Sequence, residues 1–205
     1  MMFYTPLSIA TKAGHTQIVK LLLNDERIPV NQVQHFNQTP FFIACEKGHI
    51  EIVKLLLNDE RVDINKANLN GTTPFCVACF FGLLEIVEYM LASGRDVNLA
   101  AKEKSGDTAL DVARKRSVSK GWPNEFEFQR RESNRPKMIK LIESFERNPS
   151  ETRFNLRIQL GLAGIFLFSL SILFLESYFF LGCEGASIYA IVVLLSDHYL
   201  RFKHI

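Results

Sequence analysis

The sequence predicts an all-α fold, a solenoid of helix pairs joined by hairpin loops and followed by hydrophobic helices. Two observations predict the solenoid. One phrase recurs at a nearly constant spacing, and each copy contains two short apolar segments with helix-start and helix-end signals. A third observation predicts the C-terminal helices, because a long uncharged run begins at Ile158.

The repeated phrase opens with a Thr-Pro pair in its first three copies. TPLSIATKAGHTQIVKLLL begins at Thr5, TPFFIACEKGHIEIVKLLL at Thr39 and TPFCVACFFGLLEIVEYML at Thr73, and a weaker TALDVAR begins at Thr108. These starts are 34, 34 and 35 residues apart. A fixed period of this length is the signature of a repeat architecture. The predicted repeats are 5–38, 39–72, 73–107 and 108–149.

The second copy shows why each element forms. Thr39 is a good helix N-cap, and Pro40 suits the first helical position, where its missing N–H had no partner to lose. Gly48 can take the left-handed conformation that ends a helix. A second helix follows, with an apolar stripe at three- and four-residue spacing: Ile52, Val53, Leu56 and Leu57. The polar loop after it predicts a tight turn with positive φ at Gly71, where the first copy has Asn37.

This phrase resembles the ankyrin repeat. The resemblance rests on the Thr-Pro pairs, on Gly-His at Gly14-His15 and Gly48-His49, on IVKLLL, and on the VDIN and DVN endings. It covers roughly residues 5 to 145. It implies a non-catalytic module that binds a macromolecule, in most cases a protein, along a concave surface of hairpin tips and first helices. The histidine usual after Thr-Pro-Leu is replaced by Ser8, Phe42 and Cys76.

Carried over position by position, the resemblance implies a set of partner-binding residues. On the hairpins and at the ends of the first helices these are Val33, His35, Phe36, Gln38, Glu46, Lys47, Leu69, Asn70, Thr72, Phe80, Phe81, Lys102 and Lys104. The repeat pattern does not require bulk at Phe80 and Phe81, so an exposed aromatic pair there would suit a binding hot spot. The alternative is that the enlarged fourth unit covers them. Phe36 is a weaker candidate of the same kind.

No motif predicts catalysis, a metal or a cofactor. Cys76 and Cys79 spell C-x-x-C, but the repeat alignment places them on an inner helix, and no second ligand pair exists, so we interpret them as structural thiols. The five histidines form no nucleophile or metal pattern. The net charge of +2 gives no basis for nucleic-acid binding. We expect a protein partner and no small-molecule substrate.

The two ends of the array depart from the pattern. Four residues of the first copy look like interior residues: Ile9, Ala10, Ile18 and Leu22. Either a partner covers them or the chain is the tail of a longer array. In the fourth copy a charged insert, 115–135, separates TALDVAR from the next apolar helix, MIKLIESF. This insert is either a solvated loop or a binding loop led by Trp122.

The residues after the repeats, 150–205, are predicted to be a hydrophobic helical tail. Eighteen uncharged residues, 158–175, are just enough to cross a bilayer, so 160–180 is one candidate span. The arginines before it would keep the repeats in the cytoplasm. A second interpretation is a buried helix that caps the solenoid. In a third, the flanking segments resemble a short helical tail found after ankyrin repeats in some microbial eukaryotes, and the run between them is an insertion.

The sequence therefore predicts a non-catalytic ankyrin-repeat interaction module or adaptor in the cytoplasm. Two alternatives stay open. One is a single-pass, membrane-tethered adaptor, and the other is a severed regulatory part of a larger enzyme or channel.

Overall fold

A computed structural model describes residues 4–115 and 125–162. The chain divides into two units, Met1–Thr152 and Arg153–Ile205. The described residues form helices and no strand, which confirms the predicted all-α class. The helices are α1 (Pro6–Lys12), α2 (Thr16–Leu23), α3 (Pro40–Lys47), α4 (Ile50–Leu57), α5 (Pro74–Phe80), α6 (Leu84–Ala92), α7 (Ala109–Arg114), α8 (Glu125–Arg147) and α9 (Pro149–Gln159).

A threonine caps the first helix of each pair. The Thr39 hydroxyl accepts the N–H of Phe42 at 3.1 Å, and the Thr73 hydroxyl accepts the N–H of Cys76 at the same distance. Each bond satisfies a backbone donor that has no partner within the helix. Thr5 and Thr108 go further and form capping boxes, in which the third helical residue bonds back to the cap. The predicted starts of these helices are therefore confirmed.

The helix pairs of the first unit stack side by side. The first helices pack in the order α1, α3, α5, α7, and the second helices pack in the order α2, α4, α6, α8. An alanine lies five residues after each capping threonine, and Ala44 and Ala78 are fully buried there. A side chain this small lets neighbouring helices approach closely, so the pairs share one continuous core.

The turn inside each of the first three pairs contains a glycine with positive φ. Gly48 ends α3 with φ of 74°, the left-handed conformation that the sequence predicts. Gly14 has φ of 75°, and a Cβ there would lie 2.9 Å from the ring of His49 in the next unit. Both the conformation and the close approach therefore exclude a side chain at Gly14. His49 packs at this turn as a structural residue.

Arginines on the loops after the second helices link each unit to the preceding one. Arg61 donates to the carbonyls of Leu23 at 2.8 Å and Glu26 at 3.1 Å. The Leu23 carbonyl lies at the end of α2, where the helix itself offers it no donor, and the Glu26 carbonyl lies in the loop that follows. Arg95 repeats the arrangement one unit later and donates to the carbonyl of Asp59 at 3.0 Å. The guanidinium forks thus satisfy the backbone between successive units.

The fourth helix pair differs from the sequence prediction. The insert 115–135 was expected to be a loop, but α8 begins at Glu125 and runs through Pro136, so the prediction is wrong for 125–135. Arg135, which is buried, donates to the carbonyls of Phe80 at 2.8 Å and Ala113 at 3.2 Å. These bonds hold α8 against the ends of α5 and α7. They explain why the helix persists beside a proline that would otherwise mark its start.

The candidate membrane span, 160–180, lies outside the described residues from 163 onward. Among the helices that the structure describes, none has the length and apolar character required to cross a bilayer.

Replacing Thr39 tests how much its N-cap hydrogen bond contributes to the stability of the stack. We expect Thr39→Ala to lower the free energy of unfolding by about 1 kcal/mol, because the N–H of Phe42 then lies buried without a partner. Urea unfolding followed by circular dichroism measures it. Thr39→Ser keeps the hydroxyl and is the matched control. Equal losses in both variants would contradict the capping role.

Candidate functional site

Three hairpin loops project from the helix pairs and are built alike. In the first, the N–H of Gln34 bonds to the carbonyl of Gln38 at 3.0 Å. In the second, Asn68 bonds to Thr72 at 3.0 Å, with Gly71 in the predicted left-handed turn at φ of 78°. The third closes between residues 103 and 107 in the same way. These loops form the tips that the resemblance assigns to binding.

Neighbouring tips are joined to one another by single backbone bonds. The N–H of Leu69 donates to the carbonyl of Phe36 at 2.9 Å, and the N–H of Lys104 donates to the carbonyl of Asn70 at 2.9 Å. The Asn37 amide adds a bond to the carbonyl of Ala67 at 3.0 Å. The tips therefore form one connected row.

Phe36 has an unusual backbone conformation at the first tip. Its φ is 59°, in the left-handed region, and the next residue, Asn37, has φ of 60°. Asparagine tolerates this region, but a bulky aromatic residue adopts it at a cost in free energy. The Phe36 ring is 59% exposed, so burial does not compensate that cost within the described residues. Strain of this kind often accompanies a binding role.

An apolar patch surrounds Phe36. The ring of His35 meets it edge-on, with centroids 4.0 Å apart and planes at 84°. Leu69, on the second tip, is 57% exposed and bonds to the Phe36 backbone. We call His35, Phe36 and Leu69 the tip patch. Two large apolar side chains and an imidazole thus lie together on the row of tips.

The tips lie beside the first helices, as the resemblance implies. The Gln38 amide donates to the Glu46 carboxylate at 3.4 Å, which joins the first tip to the end of α3. Glu46 also pairs with Lys47 at 3.4 Å. On the third tip, Glu103 accepts from the Cys76 thiol at 3.2 Å. Side chains of the tips and of the helix ends therefore contact one another.

The predicted binding residues divide into two classes by exposure. The exposed ones are His35, Phe36, Lys47, Leu69, Asn70, Phe80, Lys102 and Lys104. The partly buried ones are Val33, Gln38, Glu46, Thr72 and Phe81. No residue of the set is fully buried, so each one keeps some surface that a partner could contact.

The aromatic pair at the end of α5 is only partly covered. The rings of Phe80 and Phe81 meet edge-on, 5.1 Å apart, and the Phe80 side chain is 44% exposed. From α8, Arg135 reaches the Phe80 carbonyl but leaves this ring open. The fourth unit therefore binds the backbone here, while part of the aromatic surface remains accessible.

The cysteines of the C-x-x-C pattern are buried free thiols. Cys79 lies on the inner side of α5, and burial raises the pKa of its thiol well above the ordinary range. Burial also raises the pKa of Cys76, and its bond to Glu103 adds to the effect. In the described residues, no group of three or more histidine, cysteine or acidic side chains is placed to hold a metal ion.

Two family models match the sequence. One, described as ankyrin repeats in three copies, matches residues 3–68, and another, described as ankyrin repeats in many copies, matches residues 58–113. Together they cover more than half of the chain. The chain belongs to the ankyrin-repeat family. A search of curated proteins found no match. Ankyrin repeats are typically non-catalytic interaction domains, and membership of the family supports a protein-interaction module in general for this chain.

The strain at Phe36 can be measured through stability. We expect Phe36→Asn to raise the free energy of unfolding by about 1 kcal/mol, because asparagine accepts the left-handed conformation that phenylalanine resists. Urea unfolding measures the change, and His35→Asn, at the exposed neighbour without positive φ, is the control. A lower stability of Phe36→Asn would show that the ring contributes to folding.

The buried thiols are expected to resist alkylation. In the native protein, iodoacetamide at mildly alkaline pH should leave Cys45, Cys76 and Cys79 unmodified, because burial raises the pKa of each thiol and blocks access. In denaturant all three should react. Peptide mass spectrometry distinguishes the sites. Rapid modification of Cys76 or Cys79 in the native protein would contradict the structural role.

Proposed function

We propose that this ankyrin-repeat chain is a non-catalytic adaptor that binds a protein segment across its hairpin tips, with the tip patch as the central contact. The observation that carries the proposal is Phe36, which is both strained and exposed. Strain at an exposed residue contributes nothing to folding. The left-handed backbone holds the Phe36 side chain exposed before a partner arrives, which reduces the entropy lost on binding.

The chemistry of the patch favours an apolar segment of the partner. Phenylalanine offers a large rigid surface at a small loss of rotamer freedom, and Leu69 extends this surface to the next tip. The His35 imidazole lies against the Phe36 ring and can offer a hydrogen bond at its edge. We therefore expect the partner to insert one or two large apolar side chains here.

The charges farther along the row favour acidic residues in the partner. Lys102 and Lys104 are exposed on the third tip, whereas the acidic groups there already have partners. Asp107 pairs with Lys115, and Glu103 accepts from the Cys76 thiol. An acidic group facing the two lysines would gain attraction that weakens as salt is added. The proposed ligand is an apolar segment with acidic residues on one side.

Phe80 extends the proposed surface toward the fourth unit. It lies at the end of α5, and its ring is open. Phe80 is therefore proposed as a second, smaller contact rather than as the centre.

The experiment compares binding by matched variants of the full chain. Affinity capture from cells that express the protein, followed by quantitative mass spectrometry, would identify proteins retained by the wild type. The doubly substituted Phe36→Asn, Leu69→Asn protein should lose them, and its affinity for a purified partner should fall roughly tenfold or more, as expected for a hot spot. Glu85→Ala, which removes an exposed side chain at the start of α6, should bind like the wild type.

Two further variants test whether the binding surface extends from the tip patch to the third tip and to Phe80. Lys102→Glu with Lys104→Glu should weaken binding most at low salt, since it reverses the proposed attraction. Phe80→Ala should weaken binding by a smaller factor and leave the unfolding midpoint nearly unchanged. If the tip-patch variant retained the same partners at the same affinity, the proposed function would be wrong.

A further inference from the structure

One side of the first helix pair is uncovered in the described part of the chain. Ile9 is 54% exposed, whereas Ile43, which has the same place in the second unit, is 3% exposed. Ile18 is 48% exposed, and its counterpart Ile52 is fully buried. The residues of this surface, which we call the N-terminal face, are Pro6, Ile9, Ile18 and Arg27.

The counterparts of these residues are buried because a preceding helix pair covers them. The second unit is covered where α1 packs against α3 and α2 packs against α4, and the third is covered by α3 and α4 in the same way. Pro6 is likewise exposed, while Pro40 and Pro74 are buried. The N-terminal face is therefore the same surface that elsewhere in this protein receives a helix pair.

Arg27 shows the same difference in its hydrogen bonds. Arg61 and Arg95 each donate to several backbone carbonyls at the end of the preceding second helix or in the loop that follows it. Arg27 bonds only to Asp25 in its own loop, and its side chain is 89% exposed. Arg27 thus matches the other two arginines in residue type and position. Among the described residues, however, its guanidinium donates to no backbone carbonyl.

We propose that the N-terminal face docks a partner protein that presents the C-terminal side of an ankyrin-type helix pair. The argument is continuity with the interface already formed between the first and second units. A matching occupant must bring a pair of antiparallel helices with apolar side chains over Ile9 and Ile18. It must also bring free backbone carbonyls of a helix end and the loop after it to Arg27, because Arg61 and Arg95 donate to carbonyls of this kind.

A second copy of this chain matches less well. Between residues 109 and 148, the side chains that the structure describes include no exposed large apolar residue that could face Ile9 and Ile18. If two N-terminal faces met, Arg27 of one copy could not use the Leu23 and Glu26 carbonyls of the other as free acceptors, because these already accept from Arg61.

Pro29 removes one backbone donor from the N-terminal face. In the second and third units, Asp63 and Asn98 donate their N–H groups to an asparagine of the preceding unit, at 2.7 and 3.0 Å. Pro29 stands where Asp63 stands and has no N–H. The interface at the N-terminal face thus lacks one bond that the interfaces within the array possess.

The test uses the full chain and a defined probe. The probe is a designed consensus ankyrin array with an N-terminal cap, which prevents self-stacking, and with an internal repeat left bare at its C-terminal end. The same array with a polar C-terminal cap is the control probe. We expect the bare probe to bind in calorimetry and the capped probe not to bind. Ile9→Glu or Arg27→Ala should weaken binding roughly tenfold or more.

Matched variants separate docking from folding and from the proposed function. Arg27→Ala should leave the urea midpoint of the chain alone unchanged, whereas Arg61→Ala, the same change in the second unit, should lower it. Phe36→Asn should bind the bare probe like the wild type, since the tip patch lies on another surface. The proposal is overturned if the bare probe does not bind, or if it binds the wild type and Ile9→Glu equally. It is also overturned if light scattering shows a dimer of the chain that Ile18→Glu dissolves.

Discussion

Each helix pair in this protein exposes more apolar surface than it can bury alone, and only its neighbour in the stack can cover the remainder. Val53, for example, is fully buried on α4, a helix that packs between α2 and α6. The stability of one unit thus depends on the presence and register of the next. Because every unit repeats the same geometry, one set of residue types at one spacing buries the apolar surface between neighbouring units along the array.

The backbone imposes a second condition on the stack. Each pair brings helix ends into the region between units, where free N–H and carbonyl groups would be costly if they lacked partners. Threonines satisfy the N-terminal ends from within a unit, and the arginines at 61 and 95 satisfy the C-terminal ends from the next one. Arg135 has a similar role, because it reaches from α8 to the ends of α5 and α7. Polar groups therefore fix the register of a core that apolar packing alone would leave less specific.

The features that the sequence predicted are those that depend on local chemistry in a repeated context. The threonine caps, the left-handed Gly48 and the turn at Gly71 each follow from one residue type at one position. The arginine bonds were not predicted, although their signal was present: Arg27, Arg61 and Arg95 recur in phase. Long side chains can reach in many directions, so the pattern alone did not identify the carbonyls that they bind.

Two other features depend on tertiary contacts that no local rule contains. The first half of α8 has a charged sequence with a proline, and such a sequence predicts a loop. It is a helix in the structure, where the buried Arg135 holds it against its neighbours. At Phe36 the asparagine that follows was the expected left-handed residue, and the same conformation at the phenylalanine was not foreseen. The exposed set of candidate binding residues could be named from the family resemblance, but their relative importance could not, because strain and exposure are properties of the folded chain.

The unpredicted conformation of Phe36 shows that the backbone is constrained differently at the tips and inside the stack. A strained residue is tolerated at Phe36 because the tip lies outside the stack, where its φ does not alter the spacing of the helices. The same strain inside α3 would disturb the packing of two neighbouring units, since α3 contacts both α1 and α5. Tips and end faces are therefore the parts of an ankyrin array where a residue can be chosen for a partner rather than for the core. In this chain Phe36 is an exposed apolar residue at such a tip, and recognition is a physical role that an exposed apolar surface can serve.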